Sequence, residues 1–132
     1  MKKISLKPEY FPTVFRGKKL ETGWPSQFAV ITAWNPDGEV ASNEENEATN
    51  AELESMLKEK GLQYSPMTGF SPDGSHEEVG YLVRCSKEES IGIGKHFSQD
   101  AVFWIDNDPL LIASCNGEDP ILLGSWRDRF VG

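Results

Sequence analysis

Hydrophobic residues along this chain fall into short extended runs, separated by turn sequences and by two stretches that open on helix caps. Phe28-Ala29-Val30-Ile31-Thr32-Ala33-Trp34 is apolar, β-branched and aromatic, and it stops at Asn35-Pro36-Asp37-Gly38. That is the pattern of a buried strand ending in a turn. Ser42-Asn43-Glu44-Glu45 places Ser three residues before Glu, a capping box, and predicts a helix running to Lys60 and ending at Gly61, with Leu53, Met56 and Leu57 as its apolar stripe. Residues 62–70 read as a second strand, weakened by Pro66 and Gly69, and residues 77–85 as a third, in which Val79, Tyr81, Val83 and Cys85 alternate with Glu78, Gly80, Leu82 and Arg84. Between them Ser71-Pro72-Asp73-Gly74 is a turn, because Pro presets φ and Gly accepts a positive one, so the two strands form a hairpin. Ser86-Lys87-Glu88-Glu89 repeats the capping box and opens a second helix through Ile91, Ile93 and Phe97, weakened by Gly92 and Gly94. Residues 101–105 and 110–114 are two further strands around Asp106-Asn107-Asp108-Pro109.

The resulting order, strand, helix, strand, strand, helix, strand, strand, predicts an α+β fold. The expected form is a ferredoxin-like split β-α-β sandwich (β-α-β-β-α-β plus an added strand), with two helices on one face of an antiparallel sheet. With 132 residues the chain is read as a single domain 1–132, comprising an irregular N-terminal segment 1–26, a core 27–115 and a C-terminal extension 116–132. Pro8, Pro12 and Pro25 interrupt the first segment, while Tyr10, Phe11, Phe15 and Trp24 pin it to the body. In the last segment Trp126 and Phe130 at helical spacing predict one docking turn.

Charge narrows the partners. Thirteen basic and 21 acidic residues leave a net charge of −8, distributed as +5 over residues 1–20 and −13 over the rest. Such a body is a poor match for duplex nucleic acid, whose binding rests on clustered Lys and Arg. No apolar run approaches the ~20 residues that cross a bilayer, and no apolar stretch follows the first lysines as in a secretory leader, so no membrane association and a cytoplasmic location are expected. Cys85 and Cys115, in strand-like stretches and without a Cys-x-x-Cys pair, are read as reduced core thiols. Two thiols fall short of the four ligands of a structural zinc site, and no metal or other cofactor is expected.

In the predicted topology several polar residues converge on one edge. It gathers Trp34 and Asn35 at the end of the first strand, Asn46 and Asn50 at the start of the first helix, residues 71–78 of the hairpin, and His96, Ser98 and Gln99 at the end of the second helix. Asn46, Asn50, Leu53 and Leu57 are spaced four, three and four apart, which puts both asparagines on the inward stripe. Buried amides need partners. They either clasp the loop after Asn35 to the helix or line a polar pocket. His76 and Glu78, two apart in an extended segment, share a side, and a carboxylate beside an imidazole can orient it and raise its pKa. Gly92-Ile93-Gly94-Lys95 fails as a phosphate loop, since Glu89 stands where a glycine is needed and His96 where Ser or Thr is needed.

Ile31-Thr32-Ala33-Trp34-Asn35-Pro36, followed by Asn46, Asn50 and Leu53, then Gly69, Ser71-Pro72-Asp73-Gly74, His76 and Glu78, and finally Gln99 before Ala101, resembles the bacterial domain-of-unknown-function family numbered 3293 over residues 10–115. The resemblance implies a small stand-alone bacterial protein and assigns no activity. The chain departs from that family's pattern at Thr49, where a basic residue is common, and at Gly80, where a small polar residue is.

Three functions are compatible with these residues. The leading one is a binding or regulatory module that holds a small polar ligand against Asn35, Asn46, Asn50, His76, Glu78 and Gln99. The second is an enzyme with His76 as general acid/base oriented by Glu78 and the amides positioning substrate. The third is an acidic interaction or inhibitor protein with a protein partner. A ferredoxin-like sandwich hosts all three.

Overall fold

The computed structural model of the chain describes residues 12–35 and 39–131. The lysine-bearing start with Tyr10 and Phe11, and residues 36–38 of the turn after the first predicted strand, lie outside the described residues. Ten elements follow in order: β1 (Val14–Gly17), β2 (Gln27–Thr32), α1 (Asn43–Glu59), β3 (Tyr64–Phe70), β4 (Glu77–Val83), α2 (Lys87–His96), β5 (Ala101–Asp106), β6 (Pro109–Ser114), β7 (Ile121–Ser125) and α3 (Trp126–Arg129).

The strands form one sheet in the order β1-β3-β4-β2-β5-β6-β7, each antiparallel to its neighbours. The sheet curls into a half-barrel with three helices, which overturns the expectation of a two-helix ferredoxin-like sandwich. The difference originates at the two ends of the chain. The N-terminal segment, expected to be irregular, supplies β1, and the C-terminal extension supplies β7 and α3, so the sheet gains a strand at each edge. Strand twist accumulates across seven strands and turns the edges toward one another. After β7 the chain returns to β1. Phe130 bridges Phe15 in parallel, and Val131 N–H donates to the Phe15 carbonyl at 2.8 Å. Arg129 spans both edges, donating from Nη1 to the Thr13 carbonyl (2.9 Å) and from Nη2 to the Leu123 carbonyl (2.7 Å).

Alternation along the strands divides the apolar side chains into two cores. Ala29, Ile31, Val83, Val102, Trp104 and Ala113 pack with Leu53 and Leu57 of α1, Ile93 of α2 and Phe97, which caps the end of α2. The opposite, concave face packs Phe15, Phe28, Val30, Met67, Leu82, Ile105 and Leu110 with Trp126 of α3. Trp126 crosses Phe28 and Trp24 near perpendicular, at 5.2 and 5.5 Å between ring centroids, the edge-to-face arrangement that aromatic quadrupoles favour.

The helix starts follow the caps. Ser42 Oγ accepts from Glu45 N–H while the Glu45 carboxylate accepts from Ser42 N–H, a full capping box. Ser86 caps α2 through Glu89 N–H alone.

Candidate functional site

On the concave face, at the end of the half-barrel where β2 and β3 finish and β4 and β5 begin, lies a cavity of about 410 Å³. Its inner wall is apolar: Phe15, Val30, Met67 and Ile112 are buried, and Phe103 joins them half-buried. Toward solvent the lining becomes polar, with Trp34, Asn35, Ser71, Ser75, His76, Glu78, Gln99 and Asp100. Gly69 and Gly80 face the cavity and contribute no side-chain volume. At Gly80 the lack of a side chain is a packing requirement, since a Cβ there would stand 2.5 Å from the Ile31 carbonyl oxygen on the neighbouring strand.

The hairpin loop between β3 and β4 is organised around one carboxylate. Asp73 Oδ1 accepts from Ser75 N–H (3.0 Å) and from the hydroxyls of Ser71 and Ser75 (2.7 Å each), and Gly74 takes the positive φ of the turn. The Ser75 amide first, then the two hydroxyls, stabilise the ionised carboxyl and lower its pKa from 3.8 to about 2. Ser71 Oγ also accepts from His76 N–H at 3.1 Å, and Ser71 N–H donates to the His76 carbonyl at 2.9 Å. The loop therefore fixes the backbone from which His76 projects. His76 Nε2 lies 2.9 Å from Glu78 Oε2, with the imidazole 55% exposed and the carboxylate 24%. This pair sets the ring's orientation at the cavity edge.

Gln99 Nε2 donates to the Trp34 carbonyl at 3.2 Å and the Phe97 carbonyl at 3.3 Å, tying the segment after α2 to the end of β2. Asn35, in the left-handed region at φ 48°, exchanges hydrogen bonds with Asn46. Its N–H donates to Asn46 Oδ1 (2.7 Å), and its Oδ1 accepts from Asn46 Nδ2 (3.0 Å) and Ala41 N–H (3.0 Å).

Of the six residues expected to bind a ligand, Asn35, His76, Glu78 and Gln99 line the cavity; Asn46 and Asn50 do not. The asparagines of α1 are 1% and 5% exposed and bond to the chain itself. Asn50 Oδ1 accepts from Ala33 N–H at 2.9 Å, and its Nδ2 donates to the Val79 carbonyl at 2.8 Å, so one amide joins α1, the end of β2 and β4. Thr49 acts alongside, its hydroxyl donating to the Ala33 carbonyl at 2.9 Å. His96, placed at the same edge by the sequence pattern, stacks edge-on to Phe97 and does not line the cavity.

Other cavity residues are not apparent from local pattern. Phe15 comes from the unexpected β1, and Met67 and Phe103 belong to alternations whose cavity face only the curl defines. Strand periodicity at Phe103 was the available signal. The thiols offer no nucleophile here, because burial pushes Cys85 up to about 12 and Cys115 up to about 11. Among the described residues no three of His, Cys, Asp and Glu cluster as metal ligands. No helix among them is long and apolar enough to cross a membrane.

A family model described as Protein of unknown function (DUF3293) matches residues 31–102, a span that includes α1, β3, β4, α2 and most of the polar cavity lining. Neither a curated protein nor a solved structure gives a match.

Proposed function

The chain belongs to the DUF3293 family, whose description assigns no activity, and from that premise we propose that it is a small-molecule-binding module with its ligand in the cavity of the concave face. One observation carries this reading: a cavity of about 410 Å³ runs from a buried apolar wall to a fixed His76–Glu78 pair. Its size is within the roughly 300–1,000 Å³ of small-molecule sites, and a few placed polar groups above an apolar floor are the usual composition of one. An amphipathic ligand fits best, its apolar part against Phe15, Met67 and Phe103 and its polar end against His76, Glu78 and Gln99. Asn46 and Asn50 then serve as scaffold, holding α1 against the strand ends that frame the mouth.

A thermal-shift screen against nucleotides, amino acids and small amphipathic acids and amines tests this reading. A true ligand at a hundred times its Kd adds about 2.7 kcal/mol of stability. Ala101, at the start of β5, also lines the cavity, and Ala101→Leu, which enlarges that side chain, is expected to abolish that gain. A ligand whose stabilisation survives in A101L would place its site elsewhere.

The His76–Glu78 geometry also favours a second reading, in which His76 transfers a proton to or from a bound substrate while Glu78 orients it. In that case His76→Ala lowers turnover of the identified compound by about 10²–10⁴-fold, with little change in its binding.

A further inference from the structure

Resting on the cavity reading above, we propose that the polar end of the ligand is a neutral carboxamide, or its cyclic lactam equivalent, held between the side-chain amides of Asn35 and Gln99. Both residues line the cavity, and both are half-buried. They also meet at one peptide unit, since Gln99 Nε2 donates to the Trp34 carbonyl and the N–H of that same peptide belongs to Asn35.

Hydrogen bonds within the chain fix which way each amide is turned. Asn35 Oδ1 accepts from Ala41 N–H, a group that can only donate, so the oxygen is committed and Nδ2 is left without a partner among the described residues. Gln99 Nε2 donates to the Trp34 and Phe97 carbonyls, which can only accept, so Oε1 is the atom left over. One open donor and one open acceptor result. A carboxamide carries a carbonyl and an N–H side by side and meets both, its oxygen accepting from Asn35 Nδ2 and its N–H donating to Gln99 Oε1. Hydroxyls elsewhere in the lining are used inside the chain: Thr32 Oγ1 donates to the Val79 carbonyl, and Ser71 and Ser75 donate to Asp73.

Charge points the same way. An anion finds no lysine or arginine among the described residues of the lining. A cation finds the carboxylates engaged, because Glu78 is paired with His76, the Asp100 carboxylate acts on the Cys115 thiol of the helix-face core, and both have further interactions within the chain. A charged end would therefore give up water beside an apolar wall without gaining a counter-charge, a cost that a neutral amide avoids.

The test uses four probes on one skeleton, hexanamide, N,N-dimethylhexanamide, hexanoate and hexylamine, and repeats the set as 2-phenylacetamide, its N,N-dimethyl derivative, phenylacetate and 2-phenylethylamine. Each is titrated into the whole chain by calorimetry. In at least one series the primary amide is expected to bind about tenfold or more tighter than its three companions, of which the dimethylamide keeps the carbonyl and lacks the N–H. Asn35→Asp exchanges the Nδ2 donor for an oxygen, keeps an acceptor for Ala41 N–H and tolerates the left-handed backbone at φ 48°, so it should lower the affinity of that amide about tenfold or more in a protein whose unfolding stays cooperative. Gln99→Met, which removes the acceptor, should act in the same direction. If the primary amide leads in neither series, or if its affinity survives both substitutions, the amide assignment is overturned, and the cavity reading stands so long as A101L abolishes the binding observed. Failure of all eight probes to bind overturns both, as does binding that A101L leaves intact.

Discussion

On the helix face of the sheet, Asn46 and Asn50 are almost wholly buried, and each amide both donates and accepts within the chain, binding α1 to β2 and β4 or to the loop at Asn35. On the concave face, His76 and Glu78 are partly exposed and pair with each other at the edge of a cavity. Both sets are polar, lie within one span of 33 residues and converge on the same end of the sheet. What separates them is the face. Two helices fill one side, so every polar group there must find a partner inside the protein. The curl of the sheet leaves space on the other, where polar groups can turn toward a ligand. A convergence of polar residues therefore marks an end of the fold, and the packing behind each residue assigns its role.

The largest effect is expected from the concave core itself. Trp126→Ala should destabilise by about 3–5 kcal/mol in urea unfolding, because α3 anchors the returning chain through this ring. Trp126→Phe should cost markedly less: it keeps a ring and deletes an indole N–H that has no hydrogen-bond partner among the described residues. Equal losses in the two variants would show that a phenyl ring does not substitute for the indole in packing this face.

Next comes the amide clasp. Asn50→Leu leaves Ala33 N–H without its partner and takes one of two donors from the Val79 carbonyl, which keeps the Thr32 hydroxyl, and should cost about 1–3 kcal/mol, while any ligand affinity measured per folded molecule stays close to that of the parent. His76→Ala should show the reverse, a stability change within about 1 kcal/mol together with weakened ligand binding. A silent Asn50→Leu alongside a strongly destabilising His76→Ala would break the contrast between the faces.

Two titrations give smaller signals. The thiol pKa values of Cys85 and Cys115 are raised from 9.0, mainly by burial, so the neutral thiols favour the fold below pH 9 and that advantage is lost as pH rises through about 11 and 12. Native protein should accordingly be alkylated slowly at mildly alkaline pH and rapidly once unfolded. Asp73 is depressed, so its contribution is present above its ordinary value of 3.8 and is lost as pH falls through about 2. Carboxyl NMR should find that midpoint, and Asp73→Asn should loosen the Ser75 amide of the hairpin loop in hydrogen exchange while β3 and β4 stay protected.

Much of the local structure was readable from the chain. Ser42 and Ser86 marked both helix starts, Ser71-Pro72-Asp73-Gly74 marked the hairpin, and the spacing of Asn46, Asn50, Leu53 and Leu57 marked the buried stripe of α1. These features depend on interactions over a few residues, which a sequence displays directly. It was also sufficient to bring His76, Glu78 and Gln99 to one end of the sheet with Asn35. Tertiary structure decided the rest. Val14–Gly17 is a four-residue strand with Arg16 inside it and Pro12 before it, too short to show a period, and its pairing with β3 crosses some fifty residues. The curl arises from twist summed over seven strands and is closed by Phe130 and Arg129, more than a hundred residues from their partners Phe15 and Thr13. The cavity lies on the face that this curl makes concave, so its apolar wall, and the separation of scaffold amides from lining residues, are properties of long-range packing that no local pattern encodes.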